Sequence, residues 1–235
     1  MVDVAPVERF SIVDAVHDEE SRRDQLVDMS DLARIHGTFF PDYGFVPDEL
    51  VDLMVHPSPQ VIVHPWLLLW DEDPVGECIF HVNLERGIVL IHFIAVLPEA
   101  RAGLPDGWLG RFIGAVERVA TADAHARRKR LLGIVLEVPK DDDRHLRRWR
   151  RLGFQPIEVD YREPVHGTHW AEVPDEEFRP LTLMGGPVDA GRDMRWDGVA
   201  EAGVRAFLID HYLLPESHPV VKPALAHLDV AGESL

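Results

Sequence analysis

The sequence predicts an α/β (α+β) fold, a mixed sheet with helices packed on it. Three observations predict it. Of 235 residues, 46% are hydrophobic, ample for a sizeable core in one large or two small domains. Residues 61–97 carry three strand-like runs separated by turn formers. From residue 88 to 160, strand and helix patterns alternate, which favours a sheet covered by helices.

Each element follows from its pattern. Val7 to Asp14 reads as a first strand. Ser21 opens a helical pattern that places Leu26, Met29, Leu32, Ile35 and Phe39 on one stripe. Pro41, Tyr43, Gly44 and Pro47 make a turn, and Asp48 to Met54 forms a short helix ending near Pro57. Strands follow at Val61 to Trp70, Pro74 to Asn83 and Ile88 to Leu97, an antiparallel meander turned by Asp71-Glu72-Asp73-Pro74 and by Glu85-Arg86-Gly87. The next helix carries Trp108, Leu109, Phe112, Ile113, Val116 and Val119 on one side, and its basic end, Arg127 to Arg130, complements the negative helix terminus. Leu131 to Val138 suits a buried strand. Asp141 to Arg151 is a helix capped by aspartates and stopped by Gly153, with Phe154 to Asp160 as the strand after it. Leu181 to Met184 reads as one more strand, and Val199 to Leu214 as a last helix before a Pro- and His-containing tail.

Composition excludes several classes. Twenty-four Lys and Arg against 41 Asp and Glu give a net charge of −17, which argues against a nucleic-acid partner and against a membrane surface. The lone Cys78 forms no intrachain disulfide, so thiol usage gives no reason to look outside the cytoplasm. Acids throughout the first 25 residues do not fit a secretion signal, and the longest apolar run, Gly87 to Pro98, is too short to span a bilayer. These features predict a soluble, cytoplasmic protein. Hydrolase, kinase and dinucleotide motifs are missing. His166 and His169 sit three apart in a loop without further ligands in sequence, which fits a substrate lid better than a metal site, and no metal is expected.

The segment from Ile94 to Leu109 runs from a strand through a Gly-containing turn into a helix. Free N–H groups at such a helix start, with the positive dipole end behind them, can cradle phosphate, and Arg101 can add a charged contact. An ordinary strand-to-helix turn is the alternative. Some 35 residues later the chain reads Asp142-Asp143-Arg144-His145-Leu146-Arg147-Arg148-Trp149-Arg150-Arg151-Leu152-Gly153-Phe154, a helix closing on Leu-Gly-Phe. Between Pro98 and Gln155, thirteen Lys or Arg face eight Asp or Glu, so basic charge is concentrated in an otherwise acidic chain.

Together these segments resemble the GCN5-related N-acetyltransferase (GNAT) superfamily. Val96, Pro98 and Arg101 match its Val-x-Pro-x-x-Arg stretch, and Gly153 and Phe154 match the end of its Asn-x-x-Ala-x-x-x-Tyr-x-x-x-Gly-Phe segment. The resemblance is strongest over residues 88–160. It implies a mostly antiparallel, twisted mixed sheet flanked by helices, with residues 1–185 as an acyltransferase domain and residues 186–235 as a C-terminal helix and tail packed on it. It further implies an acyl-CoA co-substrate, most simply acetyl-CoA, bound by Ile94, Val96, Arg101, Ala102, Gly103, Gly107 and Trp149. The reaction implied is direct attack of a primary amine of a small molecule on the thioester. Other readings stay open: a carrier-protein or aminoacyl-tRNA donor, a catalytically silent CoA-binding protein, and a homodimer.

The sequence departs from the family pattern in ways that bear on chemistry. Glycines expected at the positions of Leu104 and Asp106 stand one residue away, at Gly103 and Gly107, and Pro105 removes one amide donor. Trp149 replaces the tyrosine that many relatives use as a general acid, and an indole N–H cannot deliver a proton to a thiolate. Asp142 replaces the asparagine. Where many relatives carry a glutamate on the strand before the turn, this chain has His92, which titrates near neutrality and suits a base. A hydrogen-bonded core histidine is the competing reading. Glu77 is the second catalytic candidate, with His81 beside it on the neighbouring strand. Strand alternation predicts His92, Ile94 and Val96 on one face.

Overall fold

The computed structural model describes residues 10–17, 25–164, 178–188 and 196–232. Among these residues the elements run β1 (Phe10–Asp14), α1 (Gln25–Phe39), α2 (Val46–Val55), β2 (Val61–Trp70), β3 (Asp73–Asn83), β4 (Ile88–Val96), α3 (Pro98–Arg101), α4 (Trp108–Ala126), β5 (Gly133–Pro139), α5 (Asp143–Arg151), β6 (Gln155–Pro156), β7 (Arg162–Pro164), β8 (Phe178–Pro187), α6 (Trp196–Arg205) and α7 (Val221–Gly232). The strands hydrogen-bond in the order β1-β2-β3-β4-β5-β8-β6, with β7 paired to β8. This mixed, mostly antiparallel sheet with its helices is the fold class the sequence predicts. No helix among the described residues is long and apolar enough to cross a membrane.

The chain forms two compact units, Met1–His81 with His92–Arg111, and Val82–Ile91 with Phe112–Leu235. The division falls within β3, β4 and α4.

In the first unit β1 lies antiparallel to β2, from Phe10 opposite Trp70 to Asp14 opposite Trp66. Asp71 and Glu72 join β2 to β3 with φ of 50° and 71°. Two successive positive φ values give the tight turn whose twist matches a hairpin. One sheet face buries Leu67 and Ile79 against Leu32, Ile35, Val46 and Leu50 of α1 and α2. That cluster is the apolar stripe expected for α1.

In the second unit the start of β4 runs parallel to β5, from Ile88 opposite Gly133 to Ile91 opposite Leu136. There the register ends, although β4 continues to Val96 and β5 to Pro139. β8 covers the far edge of β5, from Gly133 opposite Pro187 to Pro139 opposite Leu181. Ile88, Leu90 and Val135 pack with Leu183, Val199, Phe207 and Val221 in this unit's core. Gly133 is required by close approach: a Cβ there would meet Gly186 O at 2.8 Å and Val199 Cγ1 at 2.9 Å.

The C-terminal region departs from expectation. The last predicted helix, 199–214, is α6 followed by a π-helical turn over Ala206–His211, and Leu213 takes a positive φ of 54° just beyond it. The expected tail forms α7 instead. Its start is held by Val221 and Lys222 N–H on His218 O, and its buried Val221 and Ala224 give it a core face. The strand expected over 154–160 shrinks to Gln155–Pro156. Pro156 has no N–H for a ladder, and the chain rejoins the sheet only through Ile157 N–H on Leu183 O at 2.8 Å. The loop with His166 and His169 lies outside the described residues.

Candidate active site

At the end of β4, Leu97 N–H donates to Val75 O at 2.8 Å, on the β3 side. Successive N–H groups of a strand alternate between its two edges. The amides of Val96 and Ile94 therefore point to the opposite edge, beyond Ile91, where register with β5 has ended. Arg101 folds back from α3, donating from Nε to Val96 O at 2.9 Å, while its guanidinium carbon stands 6.0 Å from the Phe39 ring centre.

The turn that follows closes through Gly103 N–H on Ala100 O, Trp108 N–H on Pro105 O and Arg111 N–H on Gly107 O. Between the last two, the N–H groups of Leu109 and Gly110 lie in the first turn of α4, where no intrahelical acceptor precedes them. Ala102 and Gly103 are exposed. Gly107 has φ +71° with open space where a Cβ would stand, so only conformation demands glycine here. Gly107→Ala is expected to cost about 1–2 kcal/mol through left-handed backbone strain, measured as a lower melting temperature.

The candidate bases separate. The His92 ring lies 4.2 Å from that of His81. Glu77 is fully buried and bonds through Oε1 to His36 Nδ1 at 3.1 Å, while the Phe93 ring stands edge-on to His36 at 4.7 Å. Glu77 and His81 share a face of β3 by alternation. Their partners, Phe93 by way of His36 and His92 directly, are nevertheless adjacent residues of β4, with rings only 6.4 Å apart.

Burial raises the Glu77 carboxyl above its ordinary range, and the His36 hydrogen bond and charge only partly oppose this. Cys78 is fully buried, and burial together with the neighbouring Glu77 charge pushes its thiol well up, which fits an inert core residue. Trp149 is 6% exposed and packs edge-on to Phe154 at 5.2 Å. Asp142 caps α5 by accepting from His145 N–H at 2.9 Å.

Two polar clusters were not found from sequence. In the second unit Glu137 Oε1 accepts from Tyr161 OH at 2.5 Å and from Tyr212 OH at 3.0 Å. Tyr212 OH also lies 3.2 Å from Glu163 Oε2, and Arg179 pairs with Glu163. A lone acid within the apolar run Leu131 to Val138 was the available signal. In the first unit Asp14 Oδ2 accepts from His64 Nδ1 at 2.6 Å and Trp66 Nε1 at 2.9 Å. Its Oδ1 accepts from the N–H groups of Val16 and His17, each at 3.0 Å. Asp14, His17 and His64 bring possible metal-ligand atoms within 4.8 Å of one another. Four donors already engage the carboxylate, however, so its chemistry is that of a clamp.

The chain has the fold seen in acetyltransferases of the GCN5-related N-acetyltransferase superfamily. No family model matches it, and no curated protein matches it in sequence. Among solved structures it is similar to a putative acetyltransferase of the GNAT family from Bacteroides thetaiotaomicron, with 20% identity, a TM-score of 0.54, and coverage of 86% of this chain and 97% of the other. It is also similar to the ribosomal-protein-S18-alanine N-acetyltransferase of Escherichia coli, with 13% identity, a TM-score of 0.50, and coverage of 80% and 99%.

Proposed function

We propose that this chain is an N-acyltransferase that moves an acyl group, most simply acetyl, from acyl-CoA to a primary amine of a small molecule by direct attack. The observation that carries this reading is the stretch of β4 beyond Ile91, whose Ile94 and Val96 amides point to the edge where register with β5 has ended. Such amides can hold the thioester carbonyl and the amide-bearing arm of the donor. Arg101, Ala102, Gly103 and Gly107, with the first amides of α4, would take the diphosphate. The donor supplies an activated thioester.

The chain's own residues must then remove a proton from the amine and stabilise negative charge on the carbonyl oxygen. His92 serves as the base, with the His81 ring 4.2 Å away fixing its orientation. With tryptophan in place of the family's tyrosine, and that tryptophan buried, the thiolate leaves unprotonated or takes its proton from water.

Acyl-CoA titration followed by melting temperature tests donor binding, and steady-state kinetics tests the roles. Arg101→Ala should raise the acyl-CoA KM about tenfold with little change in kcat, the loss of one charged hydrogen bond. His92→Ala should lower kcat about 10²-fold or more with KM nearly unchanged. An unmoved melting temperature at saturating CoA refutes the donor assignment. Equal losses in kcat and affinity remove His92 from the role of base.

A further inference from the structure

We infer that Phe40, Tyr43 and Phe93, grouped around the buried His36–Glu77 pair, form the receiving site for an organic ammonium, the acceptor amine of the proposed reaction, with Glu77 Oε2 as its hydrogen-bond acceptor. The inference rests on the acyltransfer reading for the word acceptor only; the cation site stands on its own geometry.

The first observation is an unsatisfied atom. Glu77 is fully buried, its Oε1 is engaged by His36 Nδ1 at 3.1 Å, and its Oε2 is buried with no hydrogen-bond partner among the described residues. His36 cannot serve that second oxygen, because its Nε2 meets Tyr43 O at 3.1 Å and must carry a hydrogen there. One proton then remains to be shared between His36 Nδ1 and Glu77 Oε1. Whichever of the two atoms holds it, Oε2 is left as an acceptor and needs a donor. A buried carboxyl oxygen without a donor costs free energy, and such an atom calls for an explanation in terms of ligand, water or function.

The second observation is the company this pair keeps. The Phe93 ring lies 4.8 Å from Phe40, 5.3 Å from Tyr43 and 4.7 Å from His36. Phe40 lies 5.2 Å from His36. Phe40, Tyr43 and Phe93 are each only partly buried, while Glu77, bonded to the His36 they surround, is fully buried. Aromatic faces carry negative potential and attract cations, more strongly where water is excluded. Ring faces and a donor-seeking carboxyl oxygen together match a group that is positively charged, carries N–H and tolerates apolar surroundings. An alkyl- or arylalkylammonium has all three properties. Inorganic cations, which hold their water tightly, and anions do not.

The sequence places the rings for this purpose. Phe40 precedes the single turn Pro41–Tyr43 and Tyr43 ends it, and the Phe93 ring packs against both. Phe93 is also one residue from Ile94, whose amide belongs to the proposed donor site.

The probes are benzylamine, cationic at neutral pH, and benzyl alcohol, its neutral counterpart of nearly equal shape. Binding is measured calorimetrically on the full chain without acyl-CoA, so that failure of the donor assignment leaves this result readable. Benzylamine is expected to bind at least about tenfold more tightly than the alcohol. Glu77→Gln and, separately, Phe93→Leu should each weaken benzylamine about tenfold while leaving the alcohol within about twofold. Phe40→Leu, at a partly exposed ring, serves where either of these fails to fold cooperatively. Equal affinity for the two probes overturns the inference, as does benzylamine binding that is unchanged in the variants. Failure of CoA to shift the melting temperature with amine binding intact would refute the acyltransfer reading alone.

Discussion

Asp14→Ala is expected to lower stability by about 3–5 kcal/mol, the scale for removing one partner of a buried, hydrogen-bonded charged group. Typical domains hold 5–15 kcal/mol in all. Four donors converge on this carboxylate: His64 Nδ1, Trp66 Nε1 and the N–H groups of Val16 and His17. His64 is 2% exposed and stacks on Phe80 at 4.6 Å, while Trp66 stands edge-on to Phe80 at 4.7 Å. Truncation leaves the donors of both rings buried without an acceptor, which costs more than the net value of the bonds lost. Asp14→Asn retains one carbonyl oxygen and should lose less. The same residue sets the acid side of the stability profile. Burial alone would raise the Asp14 carboxyl, but its hydrogen bond to His64, the charges of His64 and His17 and the Val16 amide outweigh that and hold it below the usual carboxylate range. A depressed folded value means that stability is present above the unfolded aspartate value of about 3.9 and is lost as pH falls through the folded one. Urea unfolding of both variants between pH 3 and 7 measures this. An Asp14→Ala midpoint equal to the parent's refutes the clamp.

The readable parts of this chain are those where local pattern and tertiary role coincide. The stripe Met29, Leu32, Ile35 and Phe39 packs as a core face, as its helical spacing predicts. The β2–β3 turn at Asp71-Glu72 was legible because turn chemistry is local. The turn from Leu97 to Trp108 was found by its resemblance to a family stretch, and Arg101 folds back onto Val96 O there. The pairs His36–Glu77 and Asp14–His64 were not legible, since their members are 41 and 50 residues apart. α7 was missed because Pro215, His218 and Pro219 precede it and read as breakers, although His218 O in fact caps its first turn.

Glu137→Gln is expected to remove a downward slope of stability with rising pH. Glu137 sits on β5, one residue past Leu136, among Tyr161, Tyr212 and Glu163. Burial holds its carboxyl well above the ordinary range, and the Glu163 charge adds to this, while the bonds from the two tyrosines and the Arg179 charge oppose without winning. Proton counting gives the same direction. Tyr212 OH lies 3.0 Å from both oxygens of Glu137 and 3.2 Å from Glu163 Oε2, yet it has one hydrogen to give. With both acids ionised, carboxylate oxygens would meet that hydroxyl without a hydrogen between them, so the folded cluster favours keeping the proton on Glu137. The unfolded chain gives that proton up above a glutamate value of about 4.3. From there until the folded value is reached, the native state binds more protons than the unfolded one, and stability declines by up to about 1.4 kcal/mol per pH unit. Glutamine keeps the neutral shape and removes the titration, so its unfolding free energy should stay nearly level from pH 5 to 8 while the parent's falls. Tyr212→Phe deletes the shared hydroxyl, leaves Glu137 Oε2 and Glu163 Oε2 short of a donor, and should cost about 1–3 kcal/mol at pH 5 and more at pH 8. Guanidinium unfolding across this range, followed by far-UV circular dichroism, reads both effects. Parallel profiles for the parent and Glu137→Gln would show that no proton is stored there.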